Sequence, residues 1–150
     1  MKRKNDNGPY NIFAETELKV EFFHCDPANI VWHGNYFNYF ETARRILLEK
    51  IGYNYIDMIK SGYVFPIVST SIKFIDSLQY NDKFSVKAIL EEYENCLKIK
   101  FEIKNIKTDL ITTEGVTTHM AYNNETKESC FVCPQILVDK VEAIINGNKQ

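Results

Sequence analysis

The strongest constraint on this chain is one helical stripe set among strand-like segments. Tyr36, Phe40, Ala43, Leu47 and Ile51 recur at steps of four, three, four and four residues, which is the period of an α-helix. Phe37, Tyr39, Ile46 and Leu48 widen the stripe. A helix apolar over so much of its circumference is enclosed by protein, not laid on a surface. Asn35 is placed to cap its start, and Gly52 to end it. Most of what surrounds it reads as strand. Residues 15–24 alternate apolar and polar side chains, and residues 64–75 are rich in β-branched ones. Residues 83–93 follow, and then Leu97, Ile99, Phe101 and Ile103 alternate with Lys98, Lys100, Glu102 and Lys104. Residues 111–122 and 128–133 complete the strands, with turn chemistry at Glu94-Asn95, Thr108-Asp109 and Asn123-Asn124. A short helix is expected over residues 53–60, and Pro134 can open a last one that ends near Asn146-Gly147. A sheet curled around the long helix covers that helix's apolar surface. The fold class is therefore α+β, an antiparallel sheet wrapped around one long central helix. The opposite sheet face is left for contacts with a second copy.

A chain of 150 residues is one domain's worth of protein. Residues 1–14 read as a polar tail and residues 15–146 as the domain. A net charge of −2 argues against general nucleic-acid binding, which needs many phosphate contacts. No apolar run approaches the ~20 residues of a membrane span. The basic start, MKRKNDNGPYNIF, has no apolar core behind it and is not a secretory signal. The expectation is a cytoplasmic protein with reduced thiols at Cys25, Cys96, Cys130 and Cys133. Cys130 and Cys133 form a C-x-x-C, but they read as strand, not as the N-terminus of a helix where a redox thiol is activated. His24, His33 and His119 make no pair at metal-ligand spacing, so no metal site is expected.

The chemistry-bearing residues cluster between Asp26 and Glu41. Asp26 follows a strand and precedes Pro27, so it is either a turn residue or a reacting carboxylate. His33-Gly34-Asn35 leads straight into the long helix. A helix N-terminus offers free N–H groups and partial positive charge, which can hold an oxyanion forming on a thioester carbonyl. A carboxylate and such donors, seven residues apart on a tight loop, can face one carbonyl from two sides.

The stretch D-P-A-N-I-V-W-H-G-N-Y-F-N-Y-F-E-T-A-R, Asp26 to Arg44, resembles the signature of the hotdog-fold thioesterases. Within them it is most similar to the 4-hydroxybenzoyl-CoA thioesterase family and its YbgC-type acyl-CoA thioesterase relatives. Pro66-Ile67-Val68-Ser69 through Tyr80-Asn81-Asp82 resembles the family's strand after the helix. The resemblance implies a hotdog fold and a thioester hydrolase. Asp26 would be the nucleophile or the general base toward water. The backbone N–H groups of His33 and Gly34 would polarise the carbonyl, with the His33 imidazole orienting substrate or water. Tyr36 and Glu41 would lie near the acyl group. Relatives complete the site with a partner subunit, so Phe65, Pro66, Ile67, Val68 and Ser69 would line the other chain's acyl pocket in a homodimer or homotetramer. CoA, or an acyl-carrier protein, would enter as part of the substrate, with no separate cofactor. Two departures stand out. Asn29 replaces the usual turn glycine, and the Arg-Arg-Lys clamp for CoA phosphates has no counterpart around Tyr93-Glu94-Asn95-Cys96. Lys98, Lys100 and Lys104 either substitute for that clamp or form a solvated sheet face. A hotdog dehydratase is disfavoured, because Asn38, fourteen residues beyond His24, cannot shuttle a proton. A non-catalytic acyl-binding hotdog protein is the remaining alternative, and Asp26 argues against it.

Overall fold

The computed structural model describes residues 6–148. In chain order the elements are β1 (Phe13–Lys19), a single 3-10 turn (Phe22–His24), α1 (Asn35–Ile51), α2 (Tyr55–Ser61), β2 (Tyr63–Val64) and β3 (Ile67–Phe74). They continue with β4 (Lys83–Glu92), β5 (Leu97–Asn105), β6 (Leu110–His119), β7 (Tyr122–Asn123), β8 (Glu128–Ser129) and α3 (Gln135–Asn148). Five strands form one antiparallel sheet in the order β1-β4-β5-β6-β3, and β2-β7-β8 form a small second sheet. The large sheet curls around α1, which is the hotdog arrangement that the resemblance implies.

The helix α1 buries Tyr36, Tyr39, Phe40, Ala43, Leu47, Leu48 and Ile51 against the sheet. Phe40 fixes the contact. Its ring stacks on Phe101 with centroids 4.5 Å apart and planes 13° from parallel. The same ring lies on Gly115 of β6, the cross-strand neighbour of Phe101, where an added Cβ would stand 2.5 Å from it. Gly52 ends the helix with φ at 86°, and its N–H bonds to Leu48 and Glu49, as a left-handed C-terminal cap does. The inward side chains of β4 and β5, among them Phe84, Val86, Leu90, Ile99 and Ile103, are fully enclosed.

Several boundaries differ from the sequence reading, each for a physical reason. The first strand starts at Phe13, because Ile12 and Ala14 are already core residues. Tyr10 packs edge-on to Tyr93 at 5.0 Å, and the Lys87 ammonium donates to the Asn7 side chain. The segment from Asn7 to Ile12 therefore covers the outer face of β4, and the loose tail expected over residues 1–14 does not extend through it. Residues 1–5 of that tail lie outside the described residues. The strand expected over residues 15–24 ends at Lys19, and Phe22–His24 form a helical turn instead. The single strand expected over residues 64–75 is broken at Phe65-Pro66 into β2 and β3, since Pro66 cannot donate to a ladder. The strand expected over residues 128–133 keeps only Glu128–Ser129. Beyond it the Cys130 and Cys133 N–H groups bond to Ala121 and Glu94, and the chain leaves the sheet. Asn35 is the first residue of α1 and not its cap; Gly34 precedes it without any side-chain cap.

Candidate active site

The loop from His24 to Asn35 is built from its own hydrogen bonds. The His24 carbonyl accepts from the Trp32 N–H at 2.9 Å and from the Asn35 side-chain amide at 2.8 Å. The Asp26 N–H donates to Ile30, and the Asn29 N–H donates back to Asp26, each at 2.9 Å. Asn29 takes a positive φ of 63°, a conformation that Asn tolerates better than most residues, so the turn forms without the usual glycine. The Val31 N–H bonds to the Leu78 carbonyl and ties the loop to the connection after β3.

This scaffold fixes Asp26. One carboxylate oxygen, Oδ1, accepts from the Ala28 N–H at 2.8 Å. The other oxygen has no partner among the described residues. At the start of α1 the Asn35 N–H bonds to Trp32, and the Tyr36 and Phe37 N–H groups turn back to His33 and Gly34. The N–H groups of His33 and Gly34 find no acceptor among the described residues. They are orphan donors of a helix N-terminus.

Asp26, His33 and Tyr36 line one cleft of ≈ 230 Å³ with Ile30 and Val31. Its far wall is Phe74, Ile75, Asp76 and Ser77, from the end of β3. Tyr36 is a buried wall of this cleft, edge-on to Phe74 at 5.3 Å. Burial raises its phenol pKa, and the nearby Asp76 carboxylate adds to the rise. The sequence reading singled out neither Asp76 nor Ser77. Nothing in the local pattern places them opposite Asp26; the register of β3 on β6 does that.

Glu41 does not enter this cleft. Its Oε2 accepts from Arg44 at 2.6 Å and from the Tyr55 hydroxyl at 3.3 Å. Arg44 also reaches Tyr55 at 3.0 Å and stands over the His119 ring. His119, fully buried, lies with Nδ1 2.9 Å from the Phe65 carbonyl and Nε2 2.9 Å from the Thr117 hydroxyl. Nδ1 thus lies between a carbonyl that only accepts and, at 2.8 Å, an Arg44 N–H that only donates, so its tautomer decides which of the two it pairs with. Burial first, and then the Arg44 charge, hold this histidine down to about 4 and keep it neutral. Arg44, Tyr55, Phe65 and Pro66 line a second cavity of ≈ 280 Å³, otherwise walled by Leu48, Met58, Ile59, Val64 and Leu97. Phe65 is buried in its own protomer, edge-on to Tyr53 at 6.0 Å. Pro66, Ile67, Val68 and Ser69 are exposed along the edge strand and do not reach the Asp26 cleft of the same chain.

Among the described residues no group of three or more His, Cys, Asp or Glu converges as a metal set. The four thiols are free. Burial pushes the Cys133 thiol up to about 12, the opposite of what a redox nucleophile needs. Lys100 pairs with Glu102 at 3.4 Å and Lys104 with Asp109 at 3.2 Å, while Lys98 faces Glu92 in register. These lysines form a mixed-charge sheet face.

The family model described as the thioesterase-like superfamily matches residues 20–140. A proposed esterase of Synechocystis sp. is 30% identical over 104 residues, which are 69% of this chain and 61% of that one. This chain thus matches less than two thirds of that relative's length. YneP of Bacillus subtilis, a proposed acyl-CoA thioesterase, is 26% identical over 113 residues, 75% of this chain and 81% of that one. Among solved structures, the DHNA-CoA thioesterase from Staphylococcus aureus superposes with a TM-score of 0.76 at 28% identity, covering 92% of this chain and 96% of that one.

Proposed function

The chain belongs to the thioesterase-like superfamily, and on that premise we propose that it hydrolyses an acyl-CoA thioester to a free acid and CoA. The observation that carries this reading is a single cleft, lined by His33, that holds a carboxylate with one uncommitted oxygen beside the start of α1, where the His33 and Gly34 N–H groups are unpaired among the described residues. The similarity to YneP and to the DHNA-CoA thioesterase supports CoA as the thiol. The thioester oxygen lies against the His33 and Gly34 N–H groups. Asp26 approaches the carbonyl carbon from the other side. It either attacks directly or takes a proton from the attacking water. Charge developing on the oxygen meets the donor pair and the positive end of α1. The C–S bond then breaks and CoA leaves as its thiol, protonated from water. If Asp26 attacks, a mixed anhydride forms and a second water cleaves it. Label found in the Asp26 carboxylate after a single turnover in isotopically labelled water marks the anhydride route with water attacking the Asp26 carbonyl carbon, because direct attack of water on the thioester leaves that carboxylate untouched. The His33 imidazole, exposed at the cleft's rim, orients substrate or water. The step balances without a metal or a redox cofactor. Four free thiols fit activity in the cytoplasm.

The acyl group reaches into a partner protomer. The Asp26 cleft adjoins the Phe74 end of β3, and the second cavity adjoins its Phe65 end. Antiparallel pairing of two β3 edges sets one protomer's cleft beside its partner's cavity, where Glu41, Arg44 and Tyr55 form a polar corner in an apolar chamber. Each methylene that enters should contribute ~0.8 kcal/mol of burial. That gain is shared by ground and transition states, so it should appear first in KM. Thiol release from a panel of aliphatic and aromatic acyl-CoA thioesters tests the reading, with acyl-carrier-protein thioesters in parallel. Hydrolysis of acyl-CoA supports it. Hydrolysis of the carrier-protein series alone would move the thiol assignment, and no release from either series would overturn it.

A further inference from the structure

Trp32 is exposed over half its surface, yet its ring lies directly on the backbone of Gly34. A Cβ built on Gly34 would fall inside the indole, 2.8 Å from its Cε3 and nearer still to two other ring atoms. Real Cβ atoms do not approach a ring so closely, so any side chain at Gly34 would have to move the indole from this position. The same ring meets the His33 imidazole with centroids 5.2 Å apart. The indole therefore forms a roof against the Cα side of Gly34 and the ring of His33, the two residues whose N–H groups lack acceptors. Its own N–H backbone group is committed to the His24 carbonyl at 2.9 Å, so the residue carrying the roof is anchored by the loop. Gly34 has a helical φ of −65°, which any residue adopts. Backbone conformation thus does not require a glycine there; the indole's position does.

Resting on the thioester-hydrolase reading, we propose that Trp32 is a positioning residue that keeps water off one side of the His33 and Gly34 N–H donors and holds them toward the substrate carbonyl. An unpaired N–H open to water on all sides is already solvated, and must shed that water as charge develops on the substrate oxygen. A donor with one side covered by an apolar ring has less to shed and acts through a lower local dielectric. The effect belongs to the transition state, in which the oxygen carries more charge than in the bound thioester, so it should fall on kcat and not on KM.

The test is a double-substitution cycle with Trp32→Ala and Gly34→Ala on the full chain. Trp32→Ala should lower kcat about tenfold with KM changed less than about twofold, below the ~10²–10³ cost of losing a whole oxyanion donor. Gly34→Ala should lower kcat similarly, because its methyl displaces the indole. The double substitution should be no worse than the poorer single one, since both remove the same roof. Trp32→Phe, which keeps a flat apolar ring, should recover most of kcat. Melting temperatures read alongside separate this from a folding defect, and they should stay close to the parent because the indole is half-exposed. Trp32 is the chain's single tryptophan, so its emission should also change when an acyl-CoA thioether analogue fills the cleft. Additive losses in the cycle, a loss confined to KM, or no rescue by Phe would overturn the proposal while leaving the hydrolase reading intact. Failure of every variant and the parent alike to hydrolyse any thioester would instead overturn the reading on which it rests.

Discussion

At the scale of single residues, Asp26 carries the strongest expectation. Asp26→Asn keeps an oxygen for the Ala28 N–H, so the turn and the melting temperature should hold. It removes the free carboxylate oxygen, and kcat should fall at least ~10²-fold. Thiol-release kinetics with the melting curve measured beside them check this; a near-parental kcat would remove Asp26 from the mechanism. His119 gives a prediction about pH. Its folded pKa of about 4 lies below the ordinary 6.5. Between those values the unfolded chain binds more protons than the folded one, so stability rises with pH. The contribution is complete above pH ~6.5 and is lost as pH falls toward ~4, on the order of 3 kcal/mol in all. Denaturant titrations should show that decline, and His119→Gln should flatten it. A decline unchanged by the substitution would assign it to other groups. Asp26, His33 and Gly34 were legible because a turn, a pair of donors and a helix start lie within one short stretch of sequence. His119 was not: its partners Phe65 and Arg44 are 54 and 75 residues away, and no local pattern joins them. Glu41 was legible as an acidic residue on the helix and as an i,i+3 partner for Arg44, but its engagement with Tyr55 depended on where α2 packs.

At the scale of elements, periodicity located α1 to within a residue, because an enclosed helix must repeat its apolar side chains. The register of that helix on the sheet could not be read the same way. It depends on Gly115, one glycine within a strand, whose meaning is the ring of Phe40 lying on it. Gly115→Ala should therefore destabilise the fold by ~1–3 kcal/mol through overpacking. Phe40 is buried and stacked on Phe101, the cross-strand neighbour of Gly115, so a methyl there has little room. A parental melting midpoint in Gly115→Ala would show that the ring yields. The break at Pro66 was in principle legible from the rule that proline sits at strand ends. The Phe22–His24 turn was hidden, because two phenylalanines after an alternating run continue the look of a strand although both side chains are exposed.

At the scale of the whole molecule, the sheet has an unresolved edge. β3 is exposed at every residue except the half-buried Ile72, and it carries Ile67, Val68 and Phe74 as large exposed apolar side chains. An exposed edge strand with such side chains is a template for pairing. The opposite edge, β1, is shielded by Glu15, Glu17 and Lys19 on its exposed positions. Closed pairing of identical edges produces a two-fold dimer, and in the dimer proposed above it would set the Asp26 cleft of one protomer beside the Arg44 cavity of the other. The dimer and the activity should therefore be lost together. Val68 is exposed in the isolated protomer, so Val68→Lys leaves the protomer's core intact while placing a charge on the paired edge. Light scattering should show dimers, or tetramers built from them, in the parent and a dissociating species in Val68→Lys. The variant's specific activity should rise with protein concentration as the edges are driven together, whereas the parent's should stay constant over the same range. A fully active monomeric variant would show that one protomer holds a complete site, and would return the Arg44 cavity to a role within its own chain.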